Sequence, residues 1–380
     1  MGRKIWLFLV LALLLGALPA QALDLDVAGK SALLMDVSTG QILYEKNAHE
    51  PLAPASVTKV MTMLLIMEAI DAGKIGWNDM VTASEAAAAK GGSQIYLKVG
   101  ETMSVSDMLK SIAVSSANDC ACAMAEHIAG SESAFVQLMN QRAKELGMND
   151  THFVNCTGLD DGPEAADHKT SAYDIAVMSR QLLKYHPDIK KFTTIWMDTV
   201  RDGAFGLSNT NKLVRFYSGA TGLKTGFTTG AGYCLSAAAE RDGTELIAVV
   251  MGAETSAKRF AACKSMLDYG FANYALAQPQ LSGNAFVPVT LGKQKSVGAV
   301  PAQADALLID KAHKNSLVTE VSLDESVAAP VSKGQRIGTL TVRAGEQILL
   351  QVPMVAQEGV ERLSFGDVFK LVLGKLLMGK

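Results

Sequence analysis

Pro51-Leu52-Ala53-Pro54-Ala55-Ser56-Val57-Thr58-Lys59-Val60-Met61-Thr62-Met63-Leu64-Leu65 is the stretch on which the reading of this chain turns. Val60 to Ile70 is apolar and helix-prone, and Pro54 stands where a helix begins. A helix opening there puts Ser56 in its first turn. Lys59 then follows three residues on, on the same face, with Cβ atoms roughly 5–6 Å apart. A hydroxyl and an amine within reach of each other are a nucleophile and its base. The first turn adds unpaired N–H groups and the positive end of the dipole, both of which favour developing negative charge. By itself the pair is better read as a capped surface helix. The residues around it change that.

Upstream, Met1 to Ala22 reads as a secretory signal. Arg3 and Lys4 carry the charge, Ile5 to Leu18 is an apolar run short for a bilayer, and Ala20-Gln21-Ala22 is a small-x-small cleavage site. The rest of the chain is therefore expected outside the cytoplasm. Ser31 to Asp36 and Ile42 to Glu45 read as a hairpin. Downstream, Val105 to Gly130 reads as a helix started by Ser106, with the polar cluster Ser115-Ser116-Ala117-Asn118-Asp119 in its middle. Such groups either line a cleft or cap a helix–helix turn. Ser133 to Gly147 and Ser171 to His186 are further helices, the second with a Ser171/Asp174 box. Asn155 to Pro163 is a loop rich in turn residues. Thr244 to Gly252 is a buried strand, and Ala257 to Tyr274 a closing helix.

The composition agrees with an exported enzyme-sized chain. Its 380 residues are 49% hydrophobic and only 19% charged, enough for one large core and a second domain. A net charge of −3 with mixed signs argues against nucleic acid. There is no Gly-rich phosphate loop or HExxH motif. The five cysteines show no zinc spacing, and Cys120 and Cys122 read as small buried thiols. After about Ala275 short β-type runs and turns indicate a separate small β domain over 276–354. In the tail, Phe365, Val368, Phe369, Val372 and Leu376 share one helical side. That makes 355–380 an interfacial amphipathic segment rather than a span.

Ser56/Lys59, Ser116/Asn118 and Lys224-Thr225-Gly226 occur in that order, the trio of penicillin-binding proteins and class A β-lactamases. From about Leu23 through the tail, the chain resembles low-molecular-mass penicillin-binding proteins, the serine-type D-alanyl-D-alanine carboxypeptidases of peptidoglycan (peptidase S11 family). The middle motif is Ser-Ala-Asn where that family commonly has Ser-Gly-Asn. The resemblance implies an α+β, β-lactamase/transpeptidase-like catalytic domain over 23–275, an antiparallel sheet flanked by helices, then the all-β domain and the amphipathic helix. It implies no cofactor and no metal. The partners it implies are peptidoglycan stem peptides, β-lactams as inhibitors, and a membrane surface at the outer face of the cytoplasmic membrane.

Ser56 is then the expected nucleophile and Lys59 its base, which acts only if neutral. Bringing an amine from its ordinary value of about 10.4 to near 7 takes on the order of 4.6 kcal/mol. Burial helps, and Lys224 as a second cation is expected to help more. Ser116 is expected to relay a proton, and Asn118 to orient Lys59 and the substrate amide. The Lys224 strand is expected at the edge of the cleft, where a peptide can add alongside it, with Gly226 permitting close approach. The resemblance also assigns oxyanion N–H groups to Ser56 and Phe227. Thr225 can donate a hydrogen bond to a terminal carboxylate, the family's arginine for that group falls on Arg259, and His168 reads as structural. A β-lactamase would need an efficient deacylating base. Glu164-Ala-Ala-Asp167 offers a carboxylate without the expected pattern. A non-catalytic wall-binding scaffold would not need every motif residue intact.

Overall fold

The expected hairpin pairs Ser31–Asp36 antiparallel with Ile42–Lys46. In the computed structural model, which describes residues 25, 27–277, 285–302 and 306–377, that hairpin forms one side of a five-stranded antiparallel sheet. Its order is Ile42–Lys46, Ser31–Asp36, Thr244–Ala253, Gly232–Arg241, Ala220–Thr228. The start of the catalytic domain thus pairs with its last strand. Leu246 to Met251 reads as a continuous apolar run because both sheet faces are covered. Alternate residues divide between two cores: Ile247, Val249 and Met251 face the larger helical layer, while Leu246, Ala248 and Val250 face the helix Ser256–Asn273.

The helix Lys59–Asp71 lies at the centre of the larger layer, with Val60, Met61, Met63, Leu64, Ile66 and Met67 all fully buried. It is apolar on every side because other elements surround it. The helix expected from Val105 to Gly130 is in fact two, Val105–Ser115 and Asn118–Ala129. Ser116 sits between them in the left-handed region at φ 63°, where a non-glycine residue is strained. Ser104, not Ser106, caps the first helix, accepting from the Asp107 N–H at 3.1 Å. Ser171 caps Ala172–Tyr185 as expected. The Asp174 carboxylate is drawn away to the Asp150 N–H and the Thr151 hydroxyl, so that box is half formed.

The C-terminal domain is a six-stranded sheet around Val287, Val297, Ile337, Leu340, Val342 and Met354. Its last strand, Gln347–Ala356, runs past the boundary expected at 354, and Val360 and Arg362 bridge back to Val331 and Gly292. The helix Phe365–Leu377 follows, its start closed by reciprocal bonds between Ser364 and Asp367. Phe365, Val368, Phe369, Val372 and Leu373 on it are exposed. Among the described residues no helix is long and apolar enough to cross a membrane. The expected signal at 1–22 lies outside the described residues.

Candidate active site

Pro54 opens a single 3-10 turn, Ala55–Thr58, which runs straight into the helix at Lys59. Ser56 rides on that turn next to Ala55, itself left-handed at φ 48°. The Thr58 hydroxyl donates to the Ala55 carbonyl at 2.8 Å and lies 2.8 Å from His168 Nε2. His168 Nδ1 accepts from the Val154 N–H at 3.1 Å, which leaves the ring proton on Nε2 to donate to Thr58. Burial brings the His168 ring down to about 4, so it stays neutral. This histidine braces the turn from behind, the structural part expected of it.

Lys59 Nζ lies 2.9 Å from Ser56 Oγ and donates to the Thr157 carbonyl at 2.8 Å. The side chain is fully buried, and burial brings the amine down to about 7 against the opposing pull of Cys156 and Asp119. Lys224, on the strand Ala220–Thr228, is equally buried and, among the described residues, donates only to the Thr225 carbonyl, at 2.9 Å. It is pushed further, well below the ordinary ammonium range, by burial first and then by Lys59 and Arg259. The expectation that Lys224 would do more than burial to discharge Lys59 is therefore corrected. Burial, more than a neighbouring cation, discharges Lys59.

Ser116 and Asn118 flank the break between the two helices, both nearly without exposure. Asn118 makes no hydrogen bond to Lys59, contrary to expectation. Its Nδ2 donates to the Gly91 carbonyl at 2.7 Å, and its buried Oδ1 has no partner. An unpaired buried acceptor beside a cleft is one that a substrate N–H can satisfy. Asp119, which sequence reasoning did not single out for a role, accepts from the N–H groups of Ile95, Leu97 and Cys120. It lays the 91–97 loop along the start of its helix.

Lys224-Thr225-Gly226 lies on the free edge of the sheet, as expected. A Cβ on Gly226 would stand 2.6 Å from the Pro54 carbonyl oxygen and 3.0 Å from the backbone nitrogens of Ser56 and Val57. The strand can press against the nucleophile turn only because position 226 has no side chain. The Thr225 hydroxyl donates to that of Thr210 at 2.7 Å, a partner no sequence signal marked. Phe227 is exposed and packs its ring 4.3 Å from that of Tyr233. Arg259 is 7% exposed and lies behind the strand, its Nη1 donating to the carbonyls of Gly226 at 2.8 Å and Cys234 at 3.2 Å. All five cysteines are free and buried. Glu164, the carboxylate a β-lactamase reading would draw on, is exposed on the loop after Pro163.

Comparison with known proteins follows the same outline. A family model described as D-alanyl-D-alanine carboxypeptidase, peptidase S11, matches residues 18–255. A model of the C-terminal domain of penicillin-binding protein 5 matches residues 279–362. The D-alanyl-D-alanine carboxypeptidase DacF of Bacillus subtilis is 45% identical over 358 residues, 92% of this chain and 90% of that protein. Penicillin-binding protein 5 of Haemophilus influenzae superposes with a TM-score of 0.78 at 29% identity, over 88% of this chain and 98% of that one. Penicillin-binding protein D2 of Listeria monocytogenes, in its ampicillin-bound form, superposes with a TM-score of 0.60 at 32% identity, over 65% of this chain and 99% of that one.

Proposed function

Since the chain belongs to the peptidase S11 family of D-alanyl-D-alanine carboxypeptidases, we propose that Ser56, Lys59, Ser116, Asn118 and the Lys224 strand carry that family's acyl-enzyme chemistry here. The protein is a serine-type D-Ala-D-Ala carboxypeptidase of cell-wall metabolism, sensitive to penicillin. The observation that carries the residue assignment is the 2.9 Å approach of Ser56 Oγ to a fully buried amine brought down to about 7.

Neutral Lys59 takes the proton from Ser56 Oγ as that oxygen attacks the carbonyl carbon of the penultimate D-Ala. The backbone N–H groups of Ser56 and Phe227 receive the oxyanion. The amide C–N bond then breaks, with the proton passed through Ser116 to the leaving amine. Terminal D-Ala departs and leaves an ester on Ser56. Water attacks the ester, the serine recovers its proton, and the shortened stem peptide leaves. In a β-lactam the same C–N bond lies in a ring, so the leaving amine stays tethered and the ester persists. Asn118 Oδ1 takes up a substrate N–H. Thr225 turns from Thr210 to the substrate carboxylate, with the Arg259 charge behind the strand drawing that carboxylate in.

The exposed side of the helix Phe365–Leu377 supports seating on a membrane surface. That would hold an exported enzyme at the outer face of the cytoplasmic membrane. The deciding assay offers a D-Ala-D-Ala tripeptide to wild type and to Ser56→Ala. D-Ala release by wild type that vanishes in the variant is the expected result. Undiminished release from Ser56→Ala would overturn the assignment.

A further inference from the structure

Thr157 supplies the acceptor that holds the base, yet it does so through a backbone carbonyl, so something else must aim that carbonyl. The loop around it is folded by one side chain. Asn155 Oδ1 accepts from the Thr157 N–H at 3.1 Å, the Thr157 hydroxyl at 3.2 Å and the Gly158 N–H at 2.7 Å. Its Nδ2 donates to the Leu159 carbonyl at 2.9 Å. This is an asparagine-capped turn with every polar atom of the amide engaged. Two successive carbonyls leave the turn for one helix: Cys156 O accepts from Thr62 Oγ1 at 2.7 Å and Thr157 O from Lys59 Nζ at 2.8 Å. Lys59 and Thr62 are three residues apart on the same face.

The turn also touches the nucleophile's own support. Gly158 is left-handed at φ 79°, and a Cβ there would fall 1.8 Å from the Ala55 carbonyl oxygen. Leu159 reaches the other wall, where its Cδ2 would stand 3.1 Å from a Cβ on Gly92, beside Asn118. One five-residue turn therefore spans from the Ser56 turn to the second motif, and closes over the base.

We propose that Asn155 is a positioning residue for acylation, fixing the Thr157 carbonyl on Lys59 Nζ so that the amine's lone pair faces Ser56 Oγ. This rests on the acyl-enzyme reading above. A neutral amine has two N–H bonds and one lone pair. With one N–H held by Thr157, one of the two remaining positions faces Ser56, and the lone pair occupies it when Oγ gives up its proton. When Lys59 takes the serine proton, the ammonium keeps the Thr157 carbonyl as an acceptor. The charged and titratable groups facing Lys59 are Lys224 from the edge strand, Asp119 from the helix Asn118–Ala129, Cys156 from the turn itself and His168 from the segment ahead of Ala172–Tyr185. None of them fixes the direction of Nζ by a hydrogen bond.

The test compares wild type, Asn155→Ala and Asn155→Asp in the second-order rate of Ser56 labelling by a fluorescent penicillin, from about pH 6 to about pH 9, with melting temperatures alongside. Asn155→Ala should lose about 10²-fold in rate, and its midpoint should move to higher pH as water reaches Lys59. Asn155→Asp keeps the acceptor for three donors and adds a negative charge near the amine. Its midpoint should also rise, but its high-pH plateau should return close to wild type. A purely structural asparagine would lower the melting temperature and leave the Asn155→Ala midpoint at the wild-type value. Wild-type rate and midpoint in Asn155→Ala, or a plateau in Asn155→Asp no better than in Asn155→Ala, would overturn the proposal. If Asn155→Ala does not fold, the Asn155→Asp profile decides alone. A raised midpoint with an intact plateau supports the role, and any other profile overturns it. A wild type that takes no label at Ser56 would overturn the acyl-enzyme reading and this one with it. A labelled wild type beside an unaffected Asn155→Ala overturns only this one.

Discussion

A single methyl group at position 226 should cripple acylation without touching any side chain of the site. The Cβ of Gly226→Ala would sit 2.6 Å from the Pro54 carbonyl oxygen and 3.0 Å from the nitrogens of Ser56 and Val57. Ordinary contact begins near 3.4 Å, so the strand has to withdraw by about 0.8 Å from the nucleophile turn. All three obstacles are backbone atoms, so no rotamer change relieves them. Withdrawal carries the Phe227 N–H away from the Ser56 N–H and opens the oxyanion site. Losing one such donor costs about 10²–10³ in rate, or about 2.7–4 kcal/mol. The overpacking itself costs about 1–3 kcal/mol of folding stability. The assay is the second-order rate of labelling by a fluorescent penicillin, with thermal unfolding measured on the same sample. A variant that labels within about threefold of wild type would show that the strand does not need its close approach, and would reject the oxyanion role proposed for the Ser56 and Phe227 N–H groups.

Other expectations follow from the same interactions. With Lys59 near 7, the labelling rate should rise as pH climbs through about 7 and fall about tenfold per pH unit below it. Lys59→Arg, which cannot discharge, should label at a negligible rate, and a near-normal rate would refute Lys59 as the base. His168 is held neutral down to about 4, against an ordinary 6.5. The unfolded chain therefore takes up that proton first, so stability is intact above about 6.5 and declines toward pH 4, by roughly 3 kcal/mol in all. Urea unfolding at pH 7 and at about pH 4.5 should show the decline in wild type and much less of it in His168→Gln; equal declines would sink this reading. A chain ended after Arg362 should lose co-sedimentation with anionic vesicles while retaining penicillin labelling. Equal sedimentation of both chains would reject the helix as the membrane-seating element.

What the sequence made legible was whatever depends on local spacing. Ser56 and Lys59 share a face because three residues make nearly one helical turn, and that holds even though the first turn is 3-10 rather than α. Lys224 to Gly226 reads as an edge strand, and the nearly continuous apolar run at Thr244 to Gly252 as a strand covered on both faces. The break at Ser116 was harder. The apolar positions on either side keep a helical period, so they read as one helix, and only the left-handed backbone at Ser116 divides them. The polar cluster had offered two readings, a cap at a turn or a lining of the cleft. The turn is there without the side-chain cap: Ala117 stands at the start of Asn118–Ala129 with no capping hydrogen bond, and the left-handed, strained Ser116 ends the helix before it.

The charge balance between the two lysines could not have been read from spacing at all. Both side chains are fully buried, and burial depends on everything packed around them rather than on their neighbours in the chain. What separates them is the supply of partners. Lys59 has a hydroxyl, a backbone carbonyl and the field of Asp119 to hold a proton. Lys224 has one adjacent carbonyl and two cations against it. Two buried amines facing each other do not both hold a proton easily, and burial lowers each of them. The amine closest to the serine then titrates near neutrality because of its burial, while Cys156 and Asp119 keep it from falling further. A base set in that way needs a fixed carbonyl more than it needs a neighbouring cation. That is why the turn at Asn155, and not the Lys224 strand, is where the tuning of this nucleophile is argued to lie.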